Sequence, residues 1–174
     1  MNIRRLIPSD AAPYRDLMLA AYASNPDAFT SSVAERAALP ISWWESRVSA
    51  EPEATEIVLG GFREDHLVGV AGLSFETREK VRHKATLFGM YVTPDFRQDG
   101  LGEMLVAAAL DHARGRNGVR IVQLTVTKGN LAATSLYERS GFVEFGVEPF
   151  AVAVGDGFVA KVHMWLDLGG HGVK

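Results

Sequence analysis

An arginine and two glycines, spaced Arg97-x-x-Gly100-x-Gly102, lie in the stretch Val92-Thr93-Pro94-Asp95-Phe96-Arg97-Gln98-Asp99-Gly100-Leu101-Gly102-Glu103. Glycine lets a backbone approach a ligand closely. With a helix opening at Gly100, the free N–H groups of its first turn face whatever sits above them. That is an anion site, and a pyrophosphate suits it. Arg97 would add a charge-assisted contact. The same spacing fits equally well a strand-to-helix turn whose glycines only permit tight packing. The chain has no Gly-Lys-Ser or Gly-Lys-Thr, so it carries no Walker loop. A dinucleotide fingerprint belongs beside the first strand of an alternating fold, and these glycines come much later.

A second set of chemical groups follows in Asn130-Leu131-Ala132-Ala133-Thr134-Ser135-Leu136-Tyr137, ahead of Gly141-Phe142. On a helix Tyr137 stands one turn after Ala133, on the same face. Alone it reads as a core tyrosine beneath a capping glycine. Other chemistry is excluded by composition. There is no cysteine, hence no thiolate nucleophile, thiolate zinc site or iron–sulfur cluster. Histidines 66, 83, 112, 163 and 171 lack ligand spacing, so no metal is expected, and His163 reads as structural. Lys plus Arg number 18 against 21 Asp plus Glu, a formal net charge of −3 that argues against nucleic acid as a partner.

The elements that must position these groups follow from periodicity. A strand over 2–6 leads through Pro8-Ser9-Asp10 into a helix over 11–23, with Tyr14, Leu17, Met18 and Ala21 on one face. Residues 29–40 read as loop or irregular helix. Ser42-Trp43-Trp44-Glu45 fits a capping box and predicts a helix over 42–50. Strands are expected over 56–63, 67–76 and 85–92, the first two joined as a hairpin, with Gly89 marking a bulge or close approach. A helix from Gly100, an alternating strand over 120–127, a helix over 131–140 and strands over 142–147 and 157–167 complete the order.

Three consecutive strands imply hairpins, and the strand–helix–strand step around Gly100 implies one parallel pair with a crossover helix. The expected class is α+β: a mixed, mostly antiparallel sheet with one central parallel pair and helices on both faces. A length of 174 residues suits one domain, taken as 1–168 with a Gly-rich flexible tail over 169–174. The first residues have charge but no apolar stretch of a secretory signal, and no apolar run reaches the ~20 residues of a spanning helix. A cytoplasmic protein without membrane contact is the expectation.

Taken together, strand, Arg-x-x-Gly-x-Gly, helix, strand and Asn-x-x-Ala-x-x-Leu-Tyr-x-x-x-Gly-Phe resemble the GNAT superfamily of acyl-CoA-dependent N-acyltransferases. The resemblance is strongest over residues 85–145. It implies a bulged fourth strand that parts from the fifth to admit the pantetheine arm of coenzyme A. Met90, Tyr91 and Val92 would then offer backbone groups to that arm. Arg97 and the run Gln98, Asp99, Gly100, Leu101, Gly102 and Glu103 would hold the pyrophosphate. Asn130 and Ala133 would line the far wall, and Tyr137 would reach the sulfur. Acetyl-CoA or coenzyme A is the implied cosubstrate, with no metal. Asp99 and Glu103 depart from the family in bringing negative charge to the loop. Phe88-Gly89 departs in having no carboxylate where many members place a general base.

The implied reaction is acetyl transfer to a primary amine of a small molecule or amino acid. A peptide N-terminus as acceptor, or a non-catalytic acyl-CoA-binding module, are the alternatives. A departing thiolate, ordinarily near pKa ~8.5, would take its proton from the phenol of Tyr137, ordinarily near ~10. Glu35, Glu76, His83, Glu148 and a chain of water are open candidates for the base, and the acyl group is acetyl or longer. Phe29, Trp43 and Trp44 fall where the family builds its acceptor side, or else pack the core. The long apolar last strands, above all 158–166, offer an edge for a homodimer.

Overall fold

The computed structural model describes residues 1–169. From Gly170 onward, the expected tail and His171 lie outside the described residues. The elements are β1 (Asn2–Arg5), α1 (Ala11–Ser24), α2 (Val33–Ala37), α3 (Ile41–Arg47), β2 (Glu56–Arg63), β3 (His66–Phe75), β4 (Lys84–Val92), α4 (Leu101–Gly115), β5 (Ile121–Thr127), α5 (Leu131–Arg139), β6 (Val143–Val154) and β7 (Gly157–Asp167). One seven-stranded sheet runs β1-β2-β3-β4-β5-β7-β6. Every neighbouring pair is antiparallel except β4 and β5. The α+β class with one central parallel pair is therefore correct.

Alternation along the strands divides the core in two. Leu87, Val122, Leu124, Val126, Val162 and Met164 turn to the face covered by α4 and α5, where Leu101, Leu105, Val106, Ala109 and Tyr137 meet them. Val58, Phe62, Val70 and Tyr91 turn to the other face, against Tyr14, Met18 and Trp44 of α1 and α3.

Within 29–40, read as loop or irregular helix, Val33–Ala37 form the short helix α2, because Ser32 and Glu35 make the reciprocal capping box: Ser32 Oγ accepts from Glu35 N (3.2 Å) and Glu35 Oε2 accepts from Ser32 N (3.1 Å). Two expectations are corrected. The box expected at Ser42 is absent, since α3 already begins at Ile41 behind Pro40. The free edge of the sheet is β6, not β7, which is bonded on one side to β5 and on the other to β6.

Candidate functional site

The bulge expected at Gly89 is present. Val70 pairs with Tyr91 and Gly72 with Phe88, so Gly89 and Met90 together stand opposite Ala71. Gly89 takes φ +59°, a left-handed conformation that favours glycine. On its other side β4 pairs with β5 only through Lys84–Ile121, Ala85–Val122 and Thr86–Gln123. Beyond Thr86 the two strands part. Thr93 N donates across to Val68 O of β3 (2.9 Å), so the neighbouring amide of Val92 points to the parted side.

The parting opens a cleft of about 200 Å³. Phe88, Gly89 and Met90 form one wall, Thr125, Val126 and Thr127 the other, and Asn130, Ala133 and Tyr137 line it from α5. A larger concavity of about 330 Å³ lies at the opposite end of β4, among Phe75, Arg82 and Arg116. It has neither parted strands nor a helix N-terminus, so the cleft is the better candidate for chemistry.

Above the cleft the chain turns into α4 through two left-handed residues, Gln98 (φ 73°) and Gly100 (φ 78°). The first intrahelical bond runs from Met104 N to Gly100 O (3.0 Å), so the amides of Leu101, Gly102 and Glu103 have no acceptor within the helix. The two glycines divide the roles foreseen for them. A side chain on Gly100 would meet nothing within 4 Å, whereas one on Gly102 would meet Leu136 Cδ2 at 3.3 Å and Met90 Cε at 3.5 Å. Gly100 shapes an open amide turn, and Gly102 lets α4 close on α5.

The remaining expected residues sort by side chain. Met90, Asn130, Ala133 and Tyr137 reach the cleft. Asn130 also caps α5, its Oδ1 accepting from Ala133 N at 3.2 Å. Tyr91 and Leu101 turn into the two cores and leave only backbone for a ligand. Arg97 folds back, its Nε donating to Val92 O (3.0 Å). Asp99 is exposed, and Glu103 pairs with Arg139 Nε at 2.9 Å on the surface. The negative charge of Glu103 is thereby drawn away from the amides.

Tyr137 is buried, and among the described residues its hydroxyl has no hydrogen-bond partner. Burial pushes its pKa up to about 12. At neutral pH it is a phenol, a donor and not a base. Gly141 (φ 98°) ends α5 behind it, with Phe142 N donating to Tyr137 O at 3.0 Å. Phe142 packs edge-on against the ring, with centroids 5.9 Å apart.

The opposite mouth of the cleft belongs to the loop after α1. Ala28, Phe29 and Thr30 line it. Trp44 is fully buried, and Trp43 holds Arg36 and Arg47 against its ring, with Arg47 also over Phe88 (5.1 Å). The open candidates for a base separate here. Glu76 and His83 sit at the start of β4, away from the bulge, and Glu35 is committed to its capping box. Glu148 pairs with His163 Nε2 (2.8 Å) between β6 and β7. Lys161 was missed: it lines the cleft and is only 6% exposed.

A family model described as the acetyltransferase (GNAT) family matches residues 17–142. The chain belongs to that family. An alanine N-acetyltransferase of ribosomal protein bS18 from Salmonella typhimurium is 35% identical over 121 residues, 66% of this chain and 81% of that protein. A GNAT acetyltransferase from Streptococcus pneumoniae superposes with a TM-score of 0.86 at 25% identity, over 95% of this chain and 98% of its own. A Salmonella typhimurium protein solved with its cofactor acetyl-CoA gives 0.78 at 21% identity, over 100% of this chain and 97% of its own. Among the described residues no group of three or more His, Asp or Glu comes together to hold a metal, and no helix is long and apolar enough to cross a membrane.

Proposed function

We propose that this GNAT acetyltransferase moves the acetyl group of acetyl-CoA to a primary amine of a small molecule or amino acid, by direct attack of the amine on the thioester, in the cytoplasm. The observation that carries the reading is that the amide turn meets the cleft. Met90 lines the parted strands together with Tyr137, whose hydroxyl is unpartnered, and also lies 3.5 Å from where a side chain on Gly102 would stand, so the open amides at the start of α4 adjoin the cleft.

The residues fit the cosubstrate. A helix N-terminus with free amides suits a pyrophosphate. The parted edges of β4 and β5 leave backbone groups such as the Val92 amide for an amide-bearing arm. When bound, acetyl-CoA supplies an acetyl group activated as a thioester. Backbone N–H at the Gly89 bulge would stabilise an oxyanion. Tyr137 donates its proton where the thiolate leaves.

A peptide N-terminus as acceptor is the second reading, supported by the activity named for the Salmonella relative. A pure acyl-CoA-binding module has no use for an unpartnered buried phenol. An acetyl-CoA turnover screen against amines, amino acids and N-terminal peptides, read by coenzyme A release, tests all three. Absence of release with every acceptor refutes the enzyme.

The amide turn gives a separate expectation. Gly100→Val forces a β-branched residue into a left-handed conformation, so the turn rearranges. Loss of one charge-assisted hydrogen bond, about 1.5–3 kcal/mol, weakens coenzyme A binding roughly 10- to 100-fold. Calorimetric titration of a variant that still folds measures it, and unchanged affinity removes the pyrophosphate from this loop.

We also propose a homodimer through the β6 edge, where Val143, Phe145, Val147 and Phe150 are exposed. Sedimentation should show two chains, and Phe145→Lys should return a monomer. A wild-type monomer at working concentration rejects it.

A further inference from the structure

No Asp or Glu lines the cleft among the described residues, so another group must take the acceptor's proton. Lys161 is the one titratable side chain besides Tyr137 that lines it among the described residues. It stands on β7, next to Thr127 of β5 in register. Alternation turns it to the sheet face opposite Tyr137, yet both open on the same space because β4 and β5 part between them.

The surroundings of Lys161 set its protonation. Nζ donates to Ala28 O (3.1 Å) and to Thr127 Oγ1 (3.0 Å), and Thr127 Oγ1 in turn donates to Asp27 O (2.7 Å). A neutral amine has two hydrogens and one lone pair. Both hydrogens are taken by these oxygens, which leaves the lone pair for the cleft. An ammonium would keep a third N–H without an acceptor, in a buried site where no carboxylate comes within ion-pair distance among the described residues. Four titratable groups stand around it. Asp27 faces it from the loop after α1, Glu148 from β6, His163 from its own strand in partnership with Glu148, and Tyr137 from across the cleft. Burial lowers its pKa, and the attractions to Asp27 and Glu148 only partly offset that.

We propose that Lys161 is the general base of the acetyl transfer, an assignment that rests on the acetyltransferase reading above. The acceptor enters past Phe29 and Thr30 as an ammonium ion, and its proton passes to Lys161 Nζ. The freed nitrogen pair forms the N–C bond at the thioester carbon, and the C–S bond breaks with its electrons on sulfur. Tyr137 protonates the sulfur and takes back a proton from the new amide nitrogen. Lys161 releases its proton to water. The sum is one ammonium and one thioester giving one amide, one thiol and one proton.

The test begins on the protein alone. Side-chain nitrogen resonances of labelled lysine, assigned by loss in Lys161→Arg, should show Lys161 deprotonating well below the ordinary lysine value near ~10.4. Lys161→Arg cannot deprotonate in the working range, and Lys161→Ala removes the amine. Each should lower kcat about 10²- to 10⁴-fold, the usual scale for a general base, with coenzyme A affinity kept. The wild-type rate should rise with pH through the measured Lys161 pKa, and that limb should vanish in both variants. A small tertiary amine, which takes a proton but forms no stable amide, should partly restore Lys161→Ala.

An ordinary lysine titration overturns the assignment and leaves Lys161 as a clasp on the loop at Ala28. So does an unaltered rate in Lys161→Arg. An acetyl group found on Lys161 by mass spectrometry makes it a nucleophile and overturns it too. Failure of the wild-type chain to acetylate any amine overturns the enzyme reading itself, and this assignment with it.

Discussion

Tyr137→Phe is expected to bind coenzyme A as tightly as the wild-type chain and to turn over about 10²- to 10⁴-fold more slowly, the scale of a lost general acid. The substitution keeps the ring, its edge-on contact with Phe142 and its place under Gly141. It removes only a hydroxyl that has no protein partner to miss it. For that reason the thermal midpoint should stay near that of the wild type. A tyrosine that served only the core would give unchanged turnover instead. The pair of measurements, kcat at saturating acetyl-CoA and thermal midpoint, separates the two. A rate within a factor of a few of wild type, with chemistry rate-limiting, excludes Tyr137 as the acid.

The pH dependence carries the same distinction. An acid must hold its proton, so activity through Tyr137 is lost only as pH climbs through about 12, beyond any assay range. The effect on stability has the matching sign. With its folded pKa raised above the ordinary ~10, Tyr137 contributes stability that is intact below pH ~10 and disappears as pH rises through about 12. Tyr14, buried and likewise pushed up to about 12, adds a second contribution of the same sign. Burial raises Tyr22 as well, so ultraviolet titration should find several late tyrosines, and Tyr137→Phe should remove one of the two near 12.

What was legible in the sequence was whatever has a local cause. Gly89 marked the bulge, the alternation of Val122, Leu124 and Val126 marked β5, and Gly100 marked the entry to α4. Local signals also misled where two sites share one pattern. Ser32-x-x-Glu35 and Ser42-x-x-Glu45 both spell a capping box, and Pro40 settles it by starting α3 one residue before the second serine. The strand expected over 142–147 runs on to Val154. Pro149 is absorbed at a register shift between Glu148 and Val152, with Phe150 at φ 51°, which an edge strand tolerates. Lys161 was beyond reach for a different reason. In sequence it alternates with Val162 and reads as a solvated strand face. It is buried by the loop at Ala28, 133 residues away, and no local pattern announces that closure.

Trp44→Ala should cost about 3–5 kcal/mol, a large share of the roughly 5–15 kcal/mol that holds a domain together. Trp44 is fully buried, edge-on to Tyr14 (5.6 Å) and to Trp43 (5.0 Å). Helix α3 has only seven residues, too few to persist without that anchor. With the anchor gone, Trp43 and the Arg47 that it holds over Phe88 lose their position, and the acceptor wall of the cleft loosens. The amide turn and Tyr137 lie on the other face of the sheet, carried by α4 and α5. In material that remains folded, the KM for the acceptor should rise while coenzyme A affinity stays near wild type. Trp44→Phe should cost much less than alanine. It keeps most of the apolar volume and deletes an indole N–H that is buried with no partner among the described residues, so part of the lost packing is offset. Denaturant midpoints for the two variants, with calorimetric titration of coenzyme A beside acceptor kinetics, measure each step. Equal losses in both substrates would mean that α3 supports the whole sheet and not the acceptor face alone.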